Sequence, residues 1–320
     1  MRGELVGRVG GQGGFPALIA GAGERASRRF VEFFTAHIRN PNTRRAYAWA
    51  VSRFLRWCDE KGLQLERLEP ILLAAYIEGL QKEVSAPTVK QHLAALRSLF
   101  DYLVTGGVLP ANPAAAVRGP KHVVKVGKTP VLFPEEARQL LDSIETSTVV
   151  GLRDRALMGM MIYSFARVGA VVKMRVKDYY SQGRRAYFRL HEKGGKYHQV
   201  PAHHNAATYV DAYLEAAGIT NEDRSPLFRS AYKRSGELTD QPLTTSGVLK
   251  MVKRRAVAAG LPKEICCHTF RATGITAFLQ NGGELTTAQR IAAHESPRTT
   301  ALYDRTQDEV NLDEIERIRI

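Results

Sequence analysis

The sequence predicts a mainly α-helical protein with one small antiparallel β-sheet, split into an all-helical first domain and an α+β second domain. Three observations carry this. The chain has 320 residues, and at roughly 150 residues per domain that length accommodates about two domains, each with its own core. Apolar residues recur at three- and four-residue steps through most of the chain. Only one segment reads as strand, Gly-Gly turn, strand: Tyr187 to His191 and Tyr197 to Pro201, flanking Lys193-Gly194-Gly195-Lys196.

Composition narrows the function classes. Hydrophobic residues at 44% and charged residues at 24% are ordinary for globular proteins and exclude wholesale disorder, collagen-like repeats and a coiled-coil rod. Lys and Arg number 46 against 32 Asp and Glu, a net charge of +14 that points to a polyanionic partner, nucleic acid first and an anionic membrane surface second. The apolar run from Leu93 to Leu109 is broken by Arg97 and Asp101, so no stretch approaches the ~20 uncharged residues of a membrane span. No export signal is evident, and three cysteines, two of them adjacent, cannot frame a disulfide scaffold. A soluble cytoplasmic, nucleoid-associated protein is expected.

In chain order, residues 1–24 hold eight glycines and are expected to be a flexible tail. Their Gly-rich run lacks the preceding strand and following Lys-Ser/Thr of a phosphate loop. Residues 25–118 are expected to form the helical domain. Phe30, Phe33, Phe34 and Ile38, then Tyr47, Val51, Phe54 and Leu55, mark its first two helices, with Asn40-Pro41-Asn42-Thr43 offering a cap between them. Leu72 to Leu80 makes a third, and Ser85-Ala86-Pro87-Thr88 opens a fourth that ends at Gly106-Gly107. Residues 119–132, within a proline-containing and basic stretch, read as an interdomain linker.

Residues 133–320 make the second domain. Pro134-Glu-Glu-Ala starts a helix with acids in its first turn, and Leu152 to Tyr163 is an apolar helix. After the hairpin, helices are expected near Ala206 to Ala217, Ser246 to Ala259, His268 to Gln280 and Pro297 to Tyr303. Arg44, Arg45, Arg53, Lys90, His92 and Arg97 lie between apolar positions of the first domain, and Lys121, Lys125 and Lys128 lie in the linker. As a group these cations are candidate contacts to a phosphate backbone.

Chemistry gathers toward the C-terminus. His268-Thr-Phe-Arg271 sets an imidazole and a guanidinium three residues apart on a helix, hence on one side. Then come His294, Ser296-Pro297 as cap and first position of a short helix, and Tyr303 nine residues after His294. His191, His198, His203 and His204, and Cys266-Cys267-His268, lack the spacing of a metal site, and no metal or cofactor is expected.

This ordered set, from Arg167 through the Lys193 turn to Tyr303, resembles the tyrosine recombinase family (phage integrases and Xer-like recombinases) over nearly the full chain. The resemblance implies a core-binding domain, a catalytic domain and a C-shaped clamp on double-stranded DNA. It places the catalytic residues at Arg167, Lys193, His268, Arg271, His294 and the nucleophile Tyr303. Three positions depart from the family's pattern: Ala170 stands where an acid is usual, Ala293 for a Gly and Ala292 for a Leu.

The chemistry follows from the residue types. Charge builds on a phosphodiester in the transition state, so fixed guanidiniums at Arg167 and Arg271 would stabilise it, with His294 bonding a phosphate oxygen. Tyr303 would form a 3'-phosphotyrosyl bond that conserves the energy for rejoining. Lys193 would protonate the leaving 5'-oxygen, and His268 would assist proton transfer at Tyr303.

The expected activity is site-specific DNA cleavage and rejoining (integration, excision or resolution), on a mobile element. A catalytically silent DNA-binding member would have lost the nucleophile or an Arg, and type IB topoisomerase-like relaxation would proceed without paired sites. Val310, Leu312, Ile315 and Ile318 form one apolar side of a terminal helix over 310–318. That helix docks on its own domain or passes to a neighbour, the latter giving a homotetramer on paired sites.

Overall fold

The computed structural model describes residues 16–122, 127, 129–191, 197–232 and 234–304. Lys125, Lys128, Lys193 and the 310–318 segment therefore lie outside the described residues. The chain divides into two compact units, residues 1–123 and 124–320.

In the first unit α1 (Ala17–Gly21) and α2 (Glu24–Glu32) precede a widened π-helical turn, Phe33–His37. Three longer helices follow: α3 (Pro41–Glu60), α4 (Pro70–Glu83) and α5 (Ala86–Thr105). Each carries Pro at its first or second position, where the missing N–H costs nothing. Asn40 caps α3, its Oδ1 accepting from the N–H groups of Asn42 (2.9 Å) and Thr43 (3.3 Å). Phe33, Val51, Phe54, Leu73, Ile77, Leu96, Leu99 and Phe100 form the core between the helices.

Three expectations for this unit are corrected. The tail does not run free to residue 24: Leu18 and Ile19 are buried on α1, and the Leu18 N–H bonds Asp59 Oδ1 at 3.2 Å. Apolar burial outweighs the glycine content there. His92 is not a phosphate contact. It is fully buried on α5, with Trp49 edge-on at 4.8 Å, and burial followed by the Arg53 charge lowers its pKa to about 4. Arg97 is occupied internally, its guanidinium donating to the carbonyls of Ala114 and Val117 and so fastening the segment after α5.

The second unit opens with α6 (Pro134–Asp142), α7 (Val149–Tyr163) and the one-turn α8 (Val168–Val171). Strands β1 (Tyr179–Gln182), β2 (Arg185–His191) and β3 (Tyr197–Pro201) form an antiparallel sheet in that order. Tyr187 pairs with Pro201 and His191 with Tyr197, the expected hairpin. Next come α9 (His204–Ala217), β4 (Arg229–Ala231), β5 (Leu238–Pro242), α10 (Thr245–Ala258), α11 (Cys267–Gln280), α12 (Leu285–Ile291) and α13 (Pro297–Ala301).

The β4–β5 pair is a second small sheet that the sequence did not announce. Its Leu-Thr-Asp-Gln-Pro strand has no apolar alternation, and pairing to β4 holds it. The mainly helical class with a small antiparallel sheet holds for the protein.

Helix α7 is buried on nearly every side. Its Asp154, fully buried, accepts from Arg153 and from both Nε (3.0 Å) and Nη2 (2.8 Å) of Arg255 on α10. Each carboxylate oxygen has its own arginine, so removing either one would leave a buried oxygen with less compensating charge. Where α11 crosses α7, a Cβ at Gly274 would sit 2.0 Å from the Ile162 carbonyl oxygen and 2.8 Å from the Phe165 ring. Only glycine permits this approach, which sets α11 directly beneath the chain leaving α7. Among the described residues no helix is long and apolar enough to cross a membrane.

Candidate active site

Arg271 organises the site. It lies on α11 and is 2% exposed, with Nη1 donating to the Phe165 carbonyl and Nη2 to the Ala292 carbonyl. Both acceptors adjoin strained backbone: Phe165 has φ +54° and Ala293 φ +47°, a left-handed region that costs a non-glycine residue about 1 kcal/mol or more. One guanidinium thus joins the segment leading to Arg167 with the segment leading to His294. Arg167 is half-buried at the N-terminus of α8.

The turn after α12 accounts for each of its terminal carbonyls. The His294 N–H bonds Gln289 O (3.1 Å) and the Ala293 N–H bonds Arg290 O (3.0 Å), the paired closure of a left-handed C-terminal cap. The Ile291 carbonyl accepts from His198 Nε2 on β3 at 2.9 Å, and the Ala292 carbonyl takes Arg271. Such caps favour Gly at the left-handed position. Ala293→Gly is therefore expected to stabilise the second unit by about 1 kcal/mol, read as a rise in the denaturation midpoint at unchanged slope.

His294 emerges from this turn 7% exposed, its Nδ1 2.9 Å from Thr300 Oγ1. Burial, then the charges of Arg271 and Arg167, lower its pKa to about 4. His268, exposed at the start of α11, is also held below the ordinary value, by partial desolvation and then by Arg271 and Arg167. Both imidazoles are thus neutral at neutral pH, within the field of the same two arginines.

Tyr303 follows α13. Its ring lies parallel to that of His294, centroids 5.9 Å apart and planes within 5°. Its N–H bonds Thr300 O (2.9 Å), and its carbonyl accepts from Thr276 Oγ1 (3.0 Å), which fastens the turn to α11. The structure thus brings together Arg167, His268, Arg271, His294 and Tyr303. Lys193 lies outside the described residues, between strands β2 and β3.

The hairpin histidines have other partners. His191 Nε2 lies 3.2 Å from buried Asp178 Oδ2, and His203 stacks on Tyr163 at 4.2 Å. Among the described residues no group of three His, Cys, Asp or Glu could hold a metal ion.

The first unit has its own candidate face. Arg44, Arg45, Trp49, Ser52, Arg53 and Arg56, which share one side of α3 through three- and four-residue spacings such as Arg45/Trp49/Ser52 and Trp49/Arg53/Arg56, line an open cleft of about 700 Å³. Trp49 is 53% exposed. Arg44 donates to the Ile38 carbonyl and Arg53 pairs with Glu83, while Arg45, Lys90 and Lys121 are exposed. Sequence reasoning passed over Trp49 and Arg56, although their spacing from Arg45 and Arg53 placed them on this side. It also passed over Thr300 and Thr276, whose residue types are commonplace, and it weighed His198 only as a metal ligand, because its partner at Ile291 is distant in the chain.

Comparison with known proteins places this geometry. Residues 130–309 match the phage integrase family and residues 29–107 match the phage integrase N-terminal SAM-like domain. The chain is 31% identical over 270 residues to tyrosine recombinase XerD of Listeria monocytogenes serotype 4b (strain F2365), covering 82% of this chain and 87% of the relative. It is 27% identical over 283 residues to tyrosine recombinase XerC of Myxococcus xanthus, covering 85% and 91%.

In fold it is similar to XerH site-specific recombinase bound to palindromic difH substrate in a post-cleavage complex, with TM-score 0.68, 22% identity and coverage of 86% and 79%. A lambda integrase dimer bound to a COC' core site gives TM-score 0.66, 20% identity and coverage of 89% and 79%. With the family's match spanning the residues from Arg167 to Tyr303, and with relatives aligned along most of both chains, this protein belongs to the phage integrase family of tyrosine recombinases.

Proposed function

We propose that this protein is a site-specific recombinase that cleaves and rejoins double-stranded DNA through a 3'-phosphotyrosyl linkage on Tyr303, without a metal ion. The observation that carries the reading is the parallel stack of Tyr303 on His294 within the field of Arg167 and Arg271: nucleophile and anion-stabilising groups of one chain share one site. Attack by the Tyr303 oxygen on phosphorus forms the phosphotyrosyl bond and expels the 5'-oxygen. Arg271 at the floor and Arg167 at the rim offset the charge that grows on the non-bridging oxygens, and His294 donates to one of them. Neutral His268 accepts the phenol proton, and Lys193 supplies the proton to the leaving oxygen. Rejoining runs these steps backward, so the bond energy is retained in the adduct.

The arginine face of α3, with Lys90, Lys121, Lys125 and Lys128, contacts the phosphate backbone, and exposed Trp49 extends that surface. The first unit serves as the core-binding domain and the second as the catalytic domain. The 310–318 segment passes to a neighbouring copy and supports a homotetramer on paired sites.

Covalent trapping tests the reading. Nicked duplexes drawn from the DNA flanking the gene, incubated with the protein in excess chelator, are expected to yield a denaturant-resistant adduct whose modified peptide contains Tyr303. Tight binding to the same duplexes without any adduct, or an adduct on another tyrosine, would overturn it.

A further inference from the structure

We infer that Thr300 is a positioning residue that fixes the tautomer of His294, so that Nε2 faces the scissile phosphate as an N–H donor and Nδ1 is the acceptor. The inference rests on the reading of His294 as a phosphate ligand.

A neutral imidazole has one N–H and one lone pair, and whichever partner occupies one nitrogen decides the role of the other. Thr300 is fully buried, and its hydroxyl lies 2.9 Å from Nδ1. Among the described residues that nitrogen is the hydroxyl's one hydrogen-bond partner. If the hydroxyl donates to Nδ1, every polar hydrogen of the pair is placed. If instead Nδ1–H donated to Oγ1, the Thr300 proton would be left in a dry pocket without an acceptor, the costlier arrangement. The first arrangement leaves the proton on Nε2, which takes no protein partner among the described residues and is not a buried, unsatisfied atom. The alternative would turn a lone pair toward the oxygens of an anion.

The surroundings permit a single tautomer to persist. The imidazole is kept neutral by burial and by the two arginines, so the choice between nitrogens is real. The His294 backbone is pinned in both directions by Gln289, through His294 N–H to Gln289 O and Gln289 Nε2 to His294 O, each at 3.1 Å. The ring is flanked by that of Tyr303. Thr300 also accepts the Tyr303 N–H on its carbonyl. One residue therefore sets the imidazole's polarity with its side chain and the nucleophile's turn with its backbone, and only the first depends on the hydroxyl.

The test combines a spectroscopic signature with conservative variants. In full-length protein with 15N-labelled histidine, the His294 signals, identified by their loss in His294→Gln, are expected to show a pyridine-type Nδ1 and a pyrrole-type Nε2. Thr300→Val keeps the shape and removes the hydroxyl. It is expected to redistribute the tautomers and to slow single-turnover cleavage about 10²-fold, with duplex affinity unchanged within about twofold. Thr300→Ser should restore both the signature and the rate. A pyrrole-type Nδ1 in the wild type overturns the inference even if Thr300→Val fails to fold, and so does a Thr300→Val protein that cleaves at the wild-type rate. In the latter case normal wild-type adduct formation leaves the recombinase reading standing. Absence of the wild-type adduct would sink that reading while the tautomer measurement still stands by itself.

Discussion

Tyr303→Phe is expected to abolish the covalent adduct and to slow cleavage on the order of 10⁶-fold, the scale on which loss of a covalent nucleophile acts in hydrolases. The substitution deletes one oxygen and leaves the scaffold alone. The contacts that seat Tyr303 are its backbone N–H to Thr300, its carbonyl to Thr276 Oγ1, and its ring beside His294, none of which uses the phenol oxygen. Duplex affinity should therefore stay within about twofold, since the proposed binding surface neutralises phosphates through other residues. A gel-shift titration beside a denaturing-gel cleavage assay separates the two quantities. An adduct formed by the Phe variant would show that another tyrosine is the nucleophile.

Arg271→Ala is expected to reduce cleavage about 10³-fold through loss of fixed charge at the developing phosphorane. Unlike Tyr303→Phe, it should also weaken the fold. The carbonyls of Phe165 and Ala292 lose their donor in a buried site, at about 1–3 kcal/mol for each unsatisfied group. The two strained residues, Phe165 and Ala293, lose the side chain that bridges their segments. Arg271→Lys restores the charge without the two-armed geometry, so it should recover part of the rate and little of the stability.

The same variant predicts a pH effect of definite sign. In the wild type the His294 pKa of about 4 lies below the ~6.5 of an unfolded histidine. The unfolded chain therefore binds more protons between these values, and stability falls as pH drops from about 6.5 toward 4. Arg271→Ala removes the second-largest cause of the depression, after burial. The His294 titration should move upward without reaching the free value, and the acid-dependent loss of stability should shrink. Histidine NMR titration and denaturation between pH 4 and 7 check both.

Much of this architecture is local and hence legible in sequence. The α3 start could be read from Asn40-Pro41, and the hairpin from two short strands around a Gly-Gly turn. The cations of α3 and α5 were a harder case. Lys90 and His92 stand two residues apart on one helix, yet one is exposed and the other fully buried. Pattern suggested a phosphate contact for His92, whereas Trp49, Tyr76 and Arg53 from other helices make it a core residue. His268 and Arg271 pose the same problem: their spacing puts them on one side of α11, but the first lies at the exposed end and the second beneath Phe165 and Ala292. The β4–β5 pair was illegible because its partner strand, not its own pattern, makes it a strand.

By itself the sequence determined the fold class, most of the helices, the β2–β3 hairpin, the net positive charge and the family to which the chain belongs. These depend on periodicity, capping chemistry, net charge and spacing, all of them written within short stretches of chain. Tertiary structure alone decided which cations are spent on internal carbonyls, which histidines are held neutral, and how Thr300 meets His294. Those outcomes depend on burial and on partners far apart in the chain, such as Phe165 and Arg271, separated by 106 residues. A buried polar group takes its protonation and orientation from whatever the fold places against it.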